Sequence, residues 1–436
     1  MKLAVIVQRY GADLSGGAEL HARYVSERLA RHADVEVLTT CARDYISWRN
    51  ELRAGPDEVN GLSVRRFPVA RPRDPDDFGR RSDRVFHQVH SVRDELAWLG
   101  SQGPNSPSLV RYLAKQTAAY DYFIFFSYRY YHAYHGIRRV ASRAMLVPTA
   151  ERDPALGVSI FGSTFRAVRA IMYNSHEEQA LIQRVAQTES TPGVVVGVGS
   201  EVPERASAPR FRQQHDIHGR FAIYVGRIDA NKGCSELFDY FRRYTQTGGR
   251  LDLVLIGAPM MTVPTDPRIR QLGFVTDRDK YDALAAADVL IMPSYFESLS
   301  MVTLEAWAMG IPVLVNGHCD VLRGQAIRAN AGLYYTNYGE FRETLTMLET
   351  EDHLRSGLGR NGRAYFRSQY TWPIIERKYL EMLERLEQED RDDSEEPTRI
   401  EPLPGWLARR RRNIPAAASV VEGLPTGPVV LSRHAP

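Results

Sequence analysis

Two basic side chains stand five positions apart in Val225-Gly226-Arg227-Ile228-Asp229-Ala230-Asn231-Lys232-Gly233, directly behind an apolar run. A bidentate guanidinium and a compact ammonium at the carboxyl end of a strand suit a diphosphate. Only five of the 56 basic residues are lysines, so Lys232 is not the chain's habitual surface cation. A second stretch, Pro293-Ser294-Tyr295-Phe296-Glu297-Ser298-Leu299-Ser300-Met301, leads through Val302-Thr303-Leu304 to Glu305. Two helical turns return to nearly the same face, so Glu297 and Glu305 can address two parts of one ligand. Carboxylates accept hydrogen bonds from paired hydroxyls, as in a ribose diol or a sugar. The N–H groups of Leu299, Ser300 and Met301, following Ser298, would face phosphate at the helix start. A third stretch, Ser15-Gly16-Gly17-Ala18, opens the first helix and lets a phosphate approach the backbone. It does not match the G-x-G-x-x-G dinucleotide fingerprint.

These stretches need strands to end beneath them. Leu3–Val7, a helix over Ala18–Arg31 and Val35–Thr39 read as a βαβ beginning, which argues for a parallel sheet covered by helices. Tyr122–Phe126, Ala144–Val147 and Ala170–Asn174 read as further strands. The pattern restarts with the strand Phe221–Val225, the helix Ser235–Tyr244 and the strand Leu253–Ile256. Ile269–Phe274, Val289–Met292 and Pro312–Val315 follow as strands, with helices over Asp279–Ala286 and Leu299–Met309. Val194–Pro209, rich in Gly and Pro, reads as the linker between two doubly wound domains. The expected division is a first domain over 1–200 with an insertion at about 43–115, and a second over 201–370. A C-terminal helix over 371–387 is expected to cross back to the first domain. Residues 388–436, acidic and then basic, are expected to form a disordered tail.

Composition narrows the function. Apolar residues make up 43% and charged residues 25%, values of an ordinary folded protein. A net charge of +3 from 56 basic and 53 acidic side chains argues against a dedicated nucleic-acid binder. Cys41, Cys234 and Cys319 are too far apart for a metal cluster or a disulfide framework, which points to a reducing compartment. The first residues lack the long apolar region of a signal peptide, and no apolar stretch approaches the roughly 20 residues that span a bilayer. The expected location is the cytoplasm.

The glycine loop, the Gly-Arg-x-x-x-x-Lys-Gly segment and the Glu-x7-Glu helix, in this order, resemble the GT-B glycosyltransferases of the retaining family 4, glycosyl transferases group 1. The likeness is specific over 221–317, good over the first forty residues and absent from the tail. It implies an α/β GT-B fold, two Rossmann-like doubly wound domains facing across a cleft. It further implies a nucleotide diphosphate sugar (UDP-, GDP- or ADP-linked) held by the second domain. The acceptor would lie on the first. Arg227 and Lys232 would neutralise the leaving diphosphate, Glu297 would hold donor-sugar hydroxyls, and Glu305 the ribose. Gly16 and Gly17 would close over the phosphates, and Leu272-Gly273-Phe274-Val275 matches the base-binding edge. Such enzymes retain anomeric configuration and need neither bound metal nor cofactor. The family's pathways suggest a glycan or lipid-linked acceptor in bacterial-type surface polysaccharide synthesis.

The acceptor side departs from the family. Where many members carry a histidine, this chain has Glu151 in Pro148-Thr149-Ala150-Glu151-Arg152-Asp153. His132 and His135 are the alternatives, and core packing competes with a role for both. Asp74-Pro75-Asp76, Asp277-Arg278-Asp279 and Asp390-Arg391-Asp392 match the letters of a metal-dependent Asp-x-Asp motif, but helix caps and solvated charge explain them better. His87-x-x-His90 is too short a spacing for zinc. The run Arg409–Arg412 reads as solvated charge or as a weak anchor to anionic lipid at the inner membrane face. The rival reading is a catalytically silent, donor-binding partner subunit of a glycan-assembly complex.

Overall fold

The computed structural model describes residues 1–14, 16–395 and the pair 425–426. Arg409–Arg412 and most of the expected tail lie outside the described residues, as does Ser15. The chain divides into two compact units. The first comprises Met1–Asn174, Gln179–Val196 and the described residues from Glu376 onward; the second comprises Ser175–Glu178 and Gly197–Ile375.

The first unit is built on an eight-stranded sheet. Its strands are β1 (Lys2–Ile6), β2 (Asp34–Thr40), β3 (Gly55–Val59), β4 (Leu62–Phe67), β6 (Tyr122–Phe126), β7 (Ala144–Val147), β8 (Ala170–Tyr173) and β9 (Gly193–Val195). The order across the sheet is β3-β4-β2-β1-β6-β7-β8-β9, and every pairing but β3 with β4 is parallel. The short β5 (His90–Ser91) stands apart and pairs antiparallel with Pro425–Thr426. Tyr-Phe-Ile-Phe-Phe of β6 is buried throughout, the continuous apolar run that a strand covered by helices on both faces requires. The core gathers Phe123, Phe125, Leu146 and Ile171 from the sheet with Trp98, Leu109, Leu113 and Phe161 from the helices.

The second unit repeats the plan with six parallel strands. They are β10 (Phe221–Val225), β11 (Asp252–Ile256), β12 (Ile269–Gly273), β13 (Val289–Met292), β14 (Val313–Asn316) and β15 (Gly332–Tyr335). The order is β12-β11-β10-β13-β14-β15. After β10 the chain winds outward through β11 and β12, then returns to lay β13 against the other side of β10. The strand order therefore reverses at β10, and the carboxyl ends of β10 and β13 at such a reversal are the usual place for a ligand in such sheets.

Three segments differ from the sequence reading. Residues 43–115 are not a plain insertion, because β3 and β4 extend the main sheet. Asn60 (φ 51°) and Gly61 (φ 78°) make the two-residue turn between them, which needs positive φ at both positions. Pro56, Asp57 and Glu58 give β3 the polar face of an edge strand, and this hides it from an apolar-pattern search. The C-terminal helix runs Trp372–Glu395 rather than stopping at 387, so residues 388–395 are not a disordered start of the tail. Asp390 accepts from Tyr122 at 2.8 Å, and Arg169 pairs with Glu389 at 2.9 Å, while Glu376 near the other end meets Arg28 at 3.3 Å. Finally, the helix expected from Leu299 begins at Met301, with Ser300 as its cap.

Candidate functional site

Three loops at the carboxyl ends of β10, β11 and β13 pack so closely that glycine is required. At Gly233 (φ 76°) a Cβ would strike the Pro293 carbonyl, and at Gly257 (φ 136°) it would strike the Gly226 carbonyl. Backbone bonds lock the first two loops together, Ile228 N–H to Ala258 O at 3.0 Å and Met260 N–H to Ile228 O at 2.9 Å. Asn316 Nδ2 donates to the Pro293 carbonyl at 3.0 Å and fixes the third.

On this frame the predicted cations and carboxylate converge. Asp229, nearly buried, caps a short 3-10 turn by accepting the Lys232 N–H at 2.9 Å through Oδ1. Its Oδ2 accepts from Arg227 Nε. One carboxylate thus orients both predicted cations, the first directly and the second through its backbone. The Lys232 ammonium meets Glu297 Oε1 at 2.7 Å. Arg227 remains about two-fifths exposed at its side chain.

Glu305, about one turn into the helix Met301–Met309, is buried. Its Oε1 accepts from Lys280 Nζ at 2.9 Å and from Tyr281 Oη at 3.3 Å. Oε2 is buried with no hydrogen-bond partner. Burial raises the Glu305 carboxyl above the usual range, with Lys280 pulling the other way. Burial also works against the Lys280 charge, but Glu305 and Asp277 outweigh it and hold the ammonium above the usual lysine range. Ser300 Oγ accepts the Thr303 N–H at 3.3 Å and caps the helix Met301–Met309. The N–H of Met301 belongs to that first turn, where no intrahelical acceptor exists. Ser298 and Leu299 lie half-buried in the loop before it. Tyr295 donates to Glu236 at 2.8 Å, and burial followed by that carboxylate pushes its phenol up to about 12. Val275 follows β12, next to Phe274, which is 81% exposed.

The remaining predicted residues belong to the first unit. Gly16 caps the helix Gly17–Leu29, and a Cβ there would run into the Glu19 carboxylate and Arg9. Arg9 and Glu19 form a buried pair at 2.6 Å. At Gly17 a Cβ would meet nothing. Ser127, after β6, bonds Thr149, after β7, at 2.8 Å, so the segment that leads into the histidine-bearing helix Tyr131–Ile137 is tied to the loop that carries Glu151. His132 is fully buried and uses Nε2 on the Phe126 carbonyl at 3.1 Å. Burial pulls it down to about 4. His135 packs on Tyr131 with ring centroids 4.3 Å apart, and burial, then Arg138 and Arg139, pull it to about 4 as well. Glu151 is half-buried in the loop after β7.

Sequence reasoning missed Asp229, Lys280, Tyr281 and the Arg9–Glu19 pair. The scarcity of lysine that singled out Lys232 applies equally to Lys280. Nothing in the spacing announces Asp229 as a two-way tether. Asp74 accepts from the N–H groups of Asp76 and Asp77 as a helix cap, and Asp277 and Asp279 fill the first turn of the helix Asp277–Ala286. Among the described residues no group of three His, Cys, Asp or Glu could hold a metal ion, and no helix is long and apolar enough to cross a membrane.

Residues 219–344, which span this site, match the family model described as glycosyl transferases group 1. Mannosylfructose-phosphate synthase of Agrobacterium fabrum is 28% identical over 198 residues, 41% of this chain and 43% of that protein. The capsular polysaccharide biosynthesis glycosyltransferase CapM of Staphylococcus aureus is 26% identical over 192 residues, 39% of this chain and 49% of that protein. The chain thus matches less than half the length of either curated relative. The solved structure of Anabaena HepE in complex with UDP superposes with a TM-score of 0.64 at 15% identity, covering 88% of this chain and 100% of that one. That likeness shows the fold, which is GT-B. Residues 219–344 therefore belong to the glycosyl transferases group 1 family.

Proposed function

We propose that the protein is a retaining, metal-independent glycosyltransferase of family 4 that takes its sugar from a nucleotide diphosphate sugar. The observation that carries this reading is the pairing of Lys232 with Glu297 across the ends of β10 and β13, with Asp229 tethering both Arg227 and the Lys232 backbone. As the bond between sugar C1 and the diphosphate oxygen breaks, negative charge grows on the leaving group. Fixed cations aimed at that charge lower the barrier. Arg227, oriented by Asp229, and Lys232 are those cations. Glu297 accepts from hydroxyls of the donor sugar. The acceptor oxygen bonds to C1 on the face the diphosphate leaves, and its proton passes to the departing phosphate oxygen, so configuration is retained.

A UDP-bound neighbour and a capsular relative support a nucleotide sugar and a surface glycan or glycolipid acceptor as the substrate classes. The acceptor belongs on this reading to the first unit, with Glu151 as the contact. His132, already bonded to a carbonyl, and His135, packed on tyrosine, are the weaker candidates. We place the protein in the cytoplasm, with Arg409–Arg412 giving a weak contact to anionic lipid. Arg410→Ala with Arg411→Ala should reduce flotation with anionic vesicles and leave turnover on a soluble acceptor intact.

The test is a thermal-shift series with UDP, GDP, ADP and their sugars, with and without a chelator. Ligand at about 100 times its dissociation constant stabilises by roughly 2.7 kcal/mol. One nucleotide should raise the midpoint regardless of chelator. No shift with any of them would remove the donor site.

A further inference from the structure

Glu305 is a buried carboxylate with unequal oxygens: Oε1 receives Lys280 and Tyr281, while Oε2 has no partner. The identity of the cation explains the inequality. The chain holds 51 arginines and five lysines, and a guanidinium fork would engage both oxygens of a carboxylate. An ammonium engages one. We infer that Lys280 is a positioning residue, whose ammonium holds Glu305 through Oε1 and leaves Oε2 to accept a ligand hydroxyl. On the proposed donor reading, that hydroxyl comes from the ribose diol of a nucleoside diphosphate.

Charge makes the arrangement conditional on Lys280. Burial favours the neutral acid at Glu305, and Lys280 is the largest influence opposing it, followed by Tyr281. Asp277, at 3.4 Å from the ammonium, adds a small push toward neutrality at Glu305. These three face Glu305 from the helix Asp277–Ala286. From the helix Asp352–Gln369, Arg363 reaches only the Met309 carbonyl at the far end of the Glu305 helix. β13 and β14 present buried Val, Leu, Ile and Met, with Asn316 committed to Pro293. No second cation replaces Lys280 among these groups. A neutral Glu305 would lose its acceptor strength toward a hydroxyl.

The experiment compares the full chain with Lys280→Met, Lys280→Arg, Glu305→Gln and the double change Lys280→Met with Glu305→Gln. Calorimetry with UDP, GDP and ADP runs from about pH 6 to about pH 8.5. The wild type should bind one nucleotide with nearly level affinity. Lys280→Met should bind it about tenfold more weakly at the acid end, the worth of one hydrogen bond to a charged group, and recover as pH rises. Lys280→Arg keeps the charge, so its affinity should stay level with pH but fall about tenfold throughout, because the fork occupies both oxygens.

A ligand-free readout runs beside it. The folded pKa of Glu305 in Lys280→Met is raised further above its unfolded value. That stability is therefore present at low pH and lost as pH rises through the folded value. The gap in melting midpoint between wild type and Lys280→Met should widen with pH, and the double change should abolish the widening. A constant gap with pH-independent affinity in Lys280→Met overturns the role of Lys280 while leaving the donor site standing. Undiminished affinity in Lys280→Arg also overturns it, and that test holds even if Lys280→Met does not fold. A wild type that binds none of the three nucleotides overturns the donor reading, and the ribose role with it.

Discussion

Lys232 and Glu297, 65 residues apart in sequence, meet at 2.7 Å across the ends of β10 and β13. Both are partly shielded, at 30% and 12% side-chain exposure, so each tempers the other before a ligand arrives. A diphosphate must compete with Glu297 for the ammonium. Glu297→Gln should therefore tighten binding of the bare nucleoside diphosphate by about twofold to fivefold, the scale of a partly exposed pair. Turnover should fall about 10²-fold, because the sugar loses its acceptor. Lys232→Ala should weaken both. Calorimetry with the nucleotide and initial rates with its sugar separate the two effects, and weaker binding by Glu297→Gln would sink the competition.

Asp229 acts on two cations by two different routes, and the two can be separated. Asparagine keeps a cap for the Lys232 N–H but loses the charge that orients Arg227. Asp229→Asn should stay within about 1 kcal/mol of wild type in urea unfolding, since asparagine caps nearly as well as aspartate. Its turnover should approach that of Arg227→Ala. Asp229→Ala should lose turnover and also about 1 kcal/mol of stability with the cap. Equal stability losses in both variants would show that the charge, not the cap, is what Asp229 supplies to stability.

The legible part of this site is the part encoded locally. Arg227, Lys232 and Glu297 lie in the loops that follow buried apolar strands, where a parallel sheet displays its ligand-facing groups, and Glu305 lies in the helix after one of them. The partnerships are not local. Lys280 reaches Glu305 across 25 residues and Lys232 reaches Glu297 across 65, joined only once the sheet order is known. The fold shows the same division. β6 and β10 announce themselves as unbroken apolar runs, whereas β3 is an edge strand whose signal is the Asn60-Gly61 turn rather than its own side chains. Residues 388–395 look like a solvated acidic tail until Arg169 and Tyr122 supply their partners.

Gly233 joins two constraints at one position. Its φ of 76° is unfavourable for any L side chain, and its Cβ position is filled by the Pro293 carbonyl. Backbone in a sparsely populated region costs about 1–3 kcal/mol, and the clash adds to this. Gly233→Ala should therefore destabilise by at least about 2 kcal/mol and pull Lys232 away from Glu297. Gly248, also at positive φ (102°) but with open space around it, should cost only the backbone share. Urea unfolding of both alanine variants checks this, and equal losses would mean that the packing of the two loops contributes nothing.

His132 sets an acid limit on the first unit. Its ring is buried, its Nε2–H donates to the Phe126 carbonyl, and burial pulls its pKa to about 4. The unfolded imidazole titrates near 6.5. A folded value below the unfolded one means that the contribution is intact above about pH 6.5 and lost as pH falls toward about 4. For a fully buried ring the loss is roughly 3 kcal/mol. His21, buried against Phe126 and pulled to about 3, adds to the same limb. His132→Gln keeps an N–H for the carbonyl and removes the titration. Its unfolding free energy should fall less steeply below about pH 6.5, by up to about 1.4 kcal/mol per pH unit. An unchanged slope would show that the His132 proton plays no part. Activity near neutrality should be indifferent to that proton, because the ring is already neutral there.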